Sequence, residues 1–415
     1  MSPNFVTLVY KQVSKPGFEP IDVHLDVYRP ASPPPGANTT SPSVPAVIYF
    51  HGGGLTVGNR QSWFPTWLHK RATAAGYAFI SADYQLVTPA TGHEIVRDIQ
   101  DLLEFLATLE VPAGEDPQAR THSEGQVQPS FSYKIDPEAM AVAGSSAGGL
   151  CAYLAAMHCD SPKPRALISM YGMGGNFLTP HFLTPKTKPF FRGREMLDPR
   201  DFLRYLHPNY IPDDTALKAT DASFASLQPI ADSPLAYHPQ TYRIPGYPAN
   251  PRMLLTRLYL QLGIFIDYYT GAHENGGLSV ILRDALDARP TSRDDDEEFL
   301  NRMRALIPPQ HHALFPQLGV SARWPPVMLV HGTEDTAVPV GESRSLARLL
   351  SACGVTVEVM EVEGVEHSFD YESGAEKRFG EVFDQVGEFL GRLVFRPRNN
   401  RTCLFLRDVT SGSTA

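Results

Sequence analysis

Cysteine is scarce in this chain. Its four are Cys151, Cys159, Cys353 and Cys403, with no CxxC pair and no histidine at metal-ligand spacing. That argues against a disulfide framework or a metal site and fits reduced thiols in a reducing compartment. Long hydrophobic runs are missing too, none approaching the ~18 residues that cross a bilayer, so no integral membrane segment is expected. The opening stretch MSPNFVTLVYKQV lacks a basic start leading into an apolar core. No secretory signal is therefore expected, a cytoplasmic location is, and the sequons at Asn38 and Asn400 read as chance matches. Positive charge is in deficit, 36 Lys and Arg against 45 Asp and Glu, and it forms no stripe. Nucleic acid and anionic membrane surfaces are thus not expected partners. No internal repeat is visible.

What is present is a globular composition, 42% hydrophobic over 415 residues, ample for a large core. Ile21, Val23, Leu25 and Val27 alternate with polar residues, as a half-buried strand does. Short continuous apolar runs follow at Ala46–Phe50, Tyr77–Tyr84, Met140–Gly144, Ala166–Gly172, Pro326–Gly332 and Val355–Val362. Such runs suit central strands of a parallel sheet, covered on both faces. Between them lie helical spacings: Ile95, Ile99, Leu102, Leu103 and Leu106; Leu150, Leu154 and Met157; Phe379, Val382, Phe383, Val386, Phe389 and Leu390. Strand and helix in alternation predict an open α/β sheet with right-handed crossovers and a site beyond the carboxyl ends of the strands.

Several segments break that rhythm. Ser32–Pro45 reads as a turn or flexible loop, and Glu110–Tyr133 as a polar surface excursion. Met173 to about Arg323 has no clear core strand but contains Pro251–Tyr269, a helical stretch apolar on most faces, as a helix covered on several sides would be. Arg293–Leu300 reads as a solvated helix start whose acids suit the N-terminal dipole. His311 and His312 are expected on the surface or in this insertion.

The segment AVAGSSAGGL, Ala141–Leu150, carries the chemistry. A strand entering Gly144-x-Ser146-x-Gly148 and leaving in a helix is the setting of a nucleophile elbow, where small neighbours permit a strained turn that lifts the central side chain out of the sheet. Ser146 is the candidate nucleophile and Ser145 its neighbour. The glycine run of YFHGGGLTVG leaves backbone NH groups open after a core strand. Gly53 and Gly54, with Ala147 at the helix start, are candidate donors to a tetrahedral oxyanion; His51 reads as an anchor for that loop. Serine needs a base, and the base an orienting acid. His367, after the last strand, and Asp335, after the strand before it, complete the order Ser, Asp, His. Glu334 and Glu342 lie near enough in sequence to compete for the acid's role.

These motifs resemble the hormone-sensitive-lipase-like branch of the α/β-hydrolases. The likeness runs through HGGG, SADYQL (Ser81–Leu86), KIDPEAMAVAGSSAGG (Lys134–Gly149), HGTEDTAVP (His331–Pro339) and GVEHSF (Gly364–Phe369). It implies an α/β-hydrolase fold: a mostly parallel sheet of about eight strands flanked by helices, with a large helical cap after the sixth strand. Residues 1–172 and 324–395 would form the core, 173–323 the cap and 396–415 a C-terminal tail. It also implies catalytic roles for Ser146, Asp335 and His367, an oxyanion hole at Gly53, Gly54 and Ala147, and hydrolysis of carboxylic esters without cofactor or metal. The chain departs from the branch at Ser145, where Asp or Glu is usual, and at Gln85, where Arg is usual. The insertion exceeds the branch's usual cap; its apolar content predicts a bulky hydrophobic small-molecule substrate. Acyl transfer or cyclisation in small-molecule biosynthesis on the same residues is the alternative, and a scaffold that only binds ligand is a third. Monomer and homodimer both remain open.

Overall fold

The computed structural model describes residues 5–31, 42–112, 132–211, 224–288 and 296–394. The tail 396–415, most of the 110–133 excursion and both sequon asparagines lie outside the described residues.

Among the described residues nine strands form one sheet: β1 (Phe5–Val13), β2 (Ile21–Tyr28), β3 (Ser43–Phe50), β4 (Ala78–Ala82), β5 (Glu110–Val111), β6 (Tyr133–Ser145), β7 (Ala166–Met170), β8 (Val327–Gly332) and β9 (Val357–Val362). Eight are bonded in the order β1-β2-β4-β3-β6-β7-β8-β9, and the two-residue β5 pairs with β6 beside that path. β1 with β2 and β2 with β4 run antiparallel; every pair from β4 through β3 to β9 is parallel. The central strands are apolar because both faces are covered. β4, β7 and β8 are buried throughout. The helices Thr66–Ala74 and Ala375–Val394 cover one face with Trp67, Phe383 and Phe389. Gly92–Thr108 and Ala147–His158 cover the other with Ile99, Leu102 and Leu154. The first of these opens on a capping box, Thr91 with Glu94, which satisfies two backbone donors at its start.

Two expectations change. Val355–Val362, read as a central run, contains β9, which among the described residues pairs only with β8; the strand's side chains are half-buried or exposed, and Val359 is 42% exposed. A strand paired on one side only has less to cover it. The stretch Pro251–Tyr269 is not one helix but two, Arg252–Leu262 and Phe265–Thr270, broken at Gly263. Gly263 takes φ +64°, and a Cβ there would lie 2.7 Å from the Leu183 carbonyl oxygen, so glycine is needed both for the left-handed turn and for the close approach.

Among the described residues the insertion between β7 and β8 contains no strand of the sheet. Its helices pack directly on the body: Leu254, Leu258, Phe265 and Tyr269 belong to the same apolar cluster as Ile99, Leu150 and Phe177. Arg252 fastens the two parts, donating to the carbonyls of Thr56, Val87 and Thr88 at 2.7–2.9 Å. His311 is buried against the body, its ring 2.9 Å from His93 Nε2, not on the surface. Among the described residues no helix is long and apolar enough to cross a membrane.

Candidate active site

Parallel register assembles the site. Phe50 on β3 is level with Gly144 on β6, so the loop after β3 and the turn after β6 leave the sheet side by side. At that turn Ser146 has φ 54°, a strained value for a residue with a Cβ. The flanking glycines are required by contact. A Cβ at Gly144 would lie 2.0 Å from the Gly148 oxygen, and one at Gly148 would lie 2.0 Å from the Phe50 oxygen. The Ser146 NH is tied to the Met170 carbonyl at 3.0 Å, which fixes the turn to the neighbouring strand.

His367 and Asp335 arrive on the loops after β9 and β8. The Thr333 NH bonds the Val362 carbonyl at 3.0 Å, holding those loops together. His367 Nδ1 is 2.6 Å from Asp335 Oδ2, and His367 Nε2 is 3.0 Å from Ser146 Oγ. A carboxylate can only accept, so Nδ1 carries the proton and Nε2 faces the serine hydroxyl as acceptor. Asp335 is held from three further sides: Ala337 NH and Val338 NH donate to Oδ1 at 2.9 and 2.8 Å, and His331 Nε2 lies 3.3 Å from Oδ2. Burial pushes the Asp335 carboxyl up, but the hydrogen bonds from His331, His367 and Val338 outweigh it and hold the group well below the usual carboxylate range. The Tyr171 ring meets the His367 ring edge-on at 4.6 Å. The carboxylate bonded to His367 Nδ1 is that of Asp335; Glu342 instead accepts the Gly174 NH at 2.6 Å.

Gly53 and Gly54 both have positive φ, 108° and 62°. A Cβ on Gly53 would meet the Val57 oxygen at 2.1 Å, and one on Gly54 the Thr256 Oγ1 at 2.1 Å. Together with Ser146 and His367 they line a cavity of about 300 Å³, walled by Trp63, Met253, Leu254 and Leu260 among others. Ala147 opens the helix behind Ser146. His51 is buried, stacked on Tyr84 at 4.5 Å, with Nδ1 2.7 Å from the Gly52 carbonyl oxygen. Burial lowers its pKa to about 4, so it stays neutral in its place behind the loop.

Both departures from the branch pattern have local partners. Ser145 Oγ bonds Tyr49 Oη at 2.7 Å, and Tyr49 in turn bonds Tyr371 Oη at 2.9 Å. Gln85 donates from Nε2 to Asp98 at 2.9 Å, and Lys11 of β1 reaches the same carboxylate at 2.8 Å. The cation absent at position 85 is thus supplied from another strand. Sequence reasoning assigned no role to His331, Thr256 or Arg257. His331 carries a visible signal, a histidine ending an otherwise apolar core strand. The other two sit in a helix whose facing is decided by packing. Among the described residues no group of three or more His, Cys, Asp or Glu is placed to hold a metal ion.

Comparison with known proteins follows the same lines. A family profile described as alpha/beta hydrolase fold matches residues 47–241, and one described as prolyl oligopeptidase family matches 287–392. The first takes in Ser146 and the second Asp335 and His367. An esterase from Thermogutta terrifontis, Est2 with butyrate bound, superposes with a TM-score of 0.51 at 15% identity over 96% of this chain and 97% of its own. An alpha/beta hydrolase superfamily protein from Enterococcus faecalis gives 0.51 at 17% identity, over 89% and 96%. A probable carboxylesterase M8 of Phoma sp. (strain ATCC 20986 / MF5453) is 25% identical over 153 residues. That match covers 36% of this chain and 44% of the curated relative. The mostly parallel sheet, the strand–turn–helix at Ser146 and these matches define an α/β-hydrolase fold. The profile match over residues 47–241 supports the likeness to the hormone-sensitive-lipase-like branch.

Proposed function

We propose that the protein is a carboxylic-ester hydrolase working through Ser146, His367 and Asp335. The observation that carries this reading is the single imidazole bridging hydroxyl and carboxylate, 3.0 Å on one side and 2.6 Å on the other. Nε2 takes the Ser146 proton as Oγ attacks the ester carbonyl, while Asp335 holds the tautomer and balances the imidazolium. The tetrahedral oxyanion is met by the backbone NH groups of Gly53, Gly54 and Ala147. The ester C–O bond then breaks, His367 returns its proton to the leaving alcohol, and an acyl-enzyme remains on Oγ. Water, deprotonated by His367, attacks the acyl carbon and releases the carboxylic acid and free Ser146.

The apolar cavity wall supports a bulky hydrophobic acyl or alcohol group as substrate. Residues 173–323 act as the cap over a core made of 1–172 and 324–395. The similarity to a probable carboxylesterase and the esterase fold neighbour agree with this reading. The test is fluorophosphonate labelling at Ser146, followed by product analysis with an added alcohol or amine competing against water. Acid as the main product supports hydrolysis; ester or amide as the main product would replace it with acyl transfer.

A further inference from the structure

The cavity holding Ser146 is unusual in its charge. The chain is net −9, yet the residues lining this cavity include three arginines, Arg192, Arg194 and Arg257, and no Asp or Glu. His181, also in the wall, does not add to that charge: burial, with Lys186 nearby, lowers its pKa to about 4.

Arg257 is the most informative of the three. It is 4% exposed and sits on the cap helix Arg252–Leu262, on the wall shared with Met253, Leu254 and Leu260. Its Nε is buried with no hydrogen-bond partner among the described residues. Its one described ion pair is a long one, 3.4 Å to Glu195, whose side chain is 54% exposed. A guanidinium carries five donors and does not deprotonate. A buried cation with a donor left unfilled and a half-solvated counterion is costly unless an anion completes it. The turn bearing Arg192 and Arg194 is set over the site by the Arg192 NH, which bonds Thr336 Oγ1 at 2.8 Å, next to Asp335. Both side chains are exposed there. The arrangement is one deep cation in an apolar wall and two at the rim, of which Arg192 also lies 3.5 Å from the Glu366 carboxylate.

We propose, resting on the ester-hydrolase reading, that the substrate is an amphiphilic ester whose apolar part ends in a carboxylate-type anion, gripped by Arg257 and steered in by Arg192 and Arg194. Planar guanidinium matches a carboxylate with paired, charge-assisted bonds. Cations focused in a low-dielectric cleft also raise the local concentration of an anionic ligand.

The test compares matched esters. On the acyl side it pairs the mono-4-nitrophenyl ester of suberic acid with 4-nitrophenyl nonanoate. On the alcohol side it pairs the butyrates of 6-hydroxyhexanoate and of 1-hexanol. The expected result is a kcat/KM for the anionic member at least about 10-fold higher in one series, consistent with a hydrogen bond to a charged group. The ratio should fall with added NaCl, collapse toward one in Arg257→Met and survive in part in Arg257→Lys. A second readout needs no turnover: octanoate, but not octanamide, should slow fluorophosphonate labelling of Ser146, and Arg257→Met should abolish that protection. If Arg257→Met does not fold, the double variant Arg192→Ser/Arg194→Ser should lower the same ratio and the same protection. Equal or better turnover of the neutral esters in both series, with no protection by octanoate, overturns the proposal. Protection by octanoate with no ester turned over would leave the anion site standing and remove ester hydrolysis instead.

Discussion

Ser146 is held at φ 54° by the bond from its NH to the Met170 carbonyl, with glycines at 144 and 148 permitting the close approach of the turn, and its hydroxyl meets one imidazole. On the proposed mechanism these groups act as a unit. Ser146→Ala and His367→Ala should each lower kcat by about 10⁵–10⁶, with the double variant no worse than either. Asp335→Asn should cost about 10⁴. Strictly multiplicative losses in steady-state kinetics would refute a shared proton transfer, and a milder effect at Ser146 than at Ser145 would move the nucleophile by one position. Asp335 also carries a pH signature. Burial raises its carboxyl, but the bonds from His331, His367 and Val338 win, so the folded state binds this proton less readily than the unfolded chain. Its contribution to stability is therefore complete above the ordinary carboxylate value of about 4 and drains away as pH falls below it. The urea midpoint of the wild type should exceed that of Asp335→Asn by more at pH 7 than at pH 3.5; a gap unchanged between the two would contradict the depressed value.

At the scale of elements, the turn at Ser146 and the helix Arg252–Leu262 each impose a contact that a single atom can test. Gly148→Ala would place a methyl 2.0 Å from the Phe50 carbonyl oxygen; the Cβ is fixed by the helix backbone and the oxygen by the strand, so neither can rotate away. A loss of about 3 kcal/mol or more is expected, read as a fall in denaturant midpoint with the slope unchanged. Thr256, on the helix Arg252–Leu262, donates to the Gly54 carbonyl at 2.7 Å and meets Thr56 Oγ1 at 2.9 Å. The helix that walls the cavity therefore also braces the candidate oxyanion loop. Thr256→Val keeps the shape and removes both bonds. It should lower kcat by about 10-fold with KM little changed, the pattern of lost transition-state stabilisation. A rise in KM alone would assign Thr256 to substrate binding instead.

Over the whole molecule, the insertion and the sheet share one apolar cluster, and the cavity lies between them. Apolar walls there favour added methylenes by up to ~0.8 kcal/mol each when buried. A series of 4-nitrophenyl alkanoates should show kcat/KM rising a few-fold per pair of carbons before it falls at the length the cavity cannot hold. A flat series, or one falling from acetate onward, would mean an open cleft in which the cap helices pack on one another and not on substrate.

The sequence by itself determined whatever depends on near neighbours in the chain. The strand–Gly-x-Ser-x-Gly–helix run singles out Ser146 as the candidate nucleophile because the small residues that such a turn needs lie within two positions of it, although the crowding at Gly148 is against Phe50 on another strand. The glycines at 53 and 54 mark a loop whose backbone must approach other groups closely. His367 and Asp335 follow from the order in which such strands deliver their loops. The tertiary structure alone decided what depends on groups far apart. β9 reads as apolar as the central strands, but its place comes from the crossover path, which among the described residues pairs it only with β8. β1 gives little sign of itself because only Tyr10 of its nine residues is buried. Lys11 standing in for a cation at position 85, His331 behind Asp335, Thr256 under Gly54 and Arg257 in the cavity wall are meetings between distant segments. Residue type permits each of them, and only the packing of one helix or strand against another selects which side chains turn inward and meet.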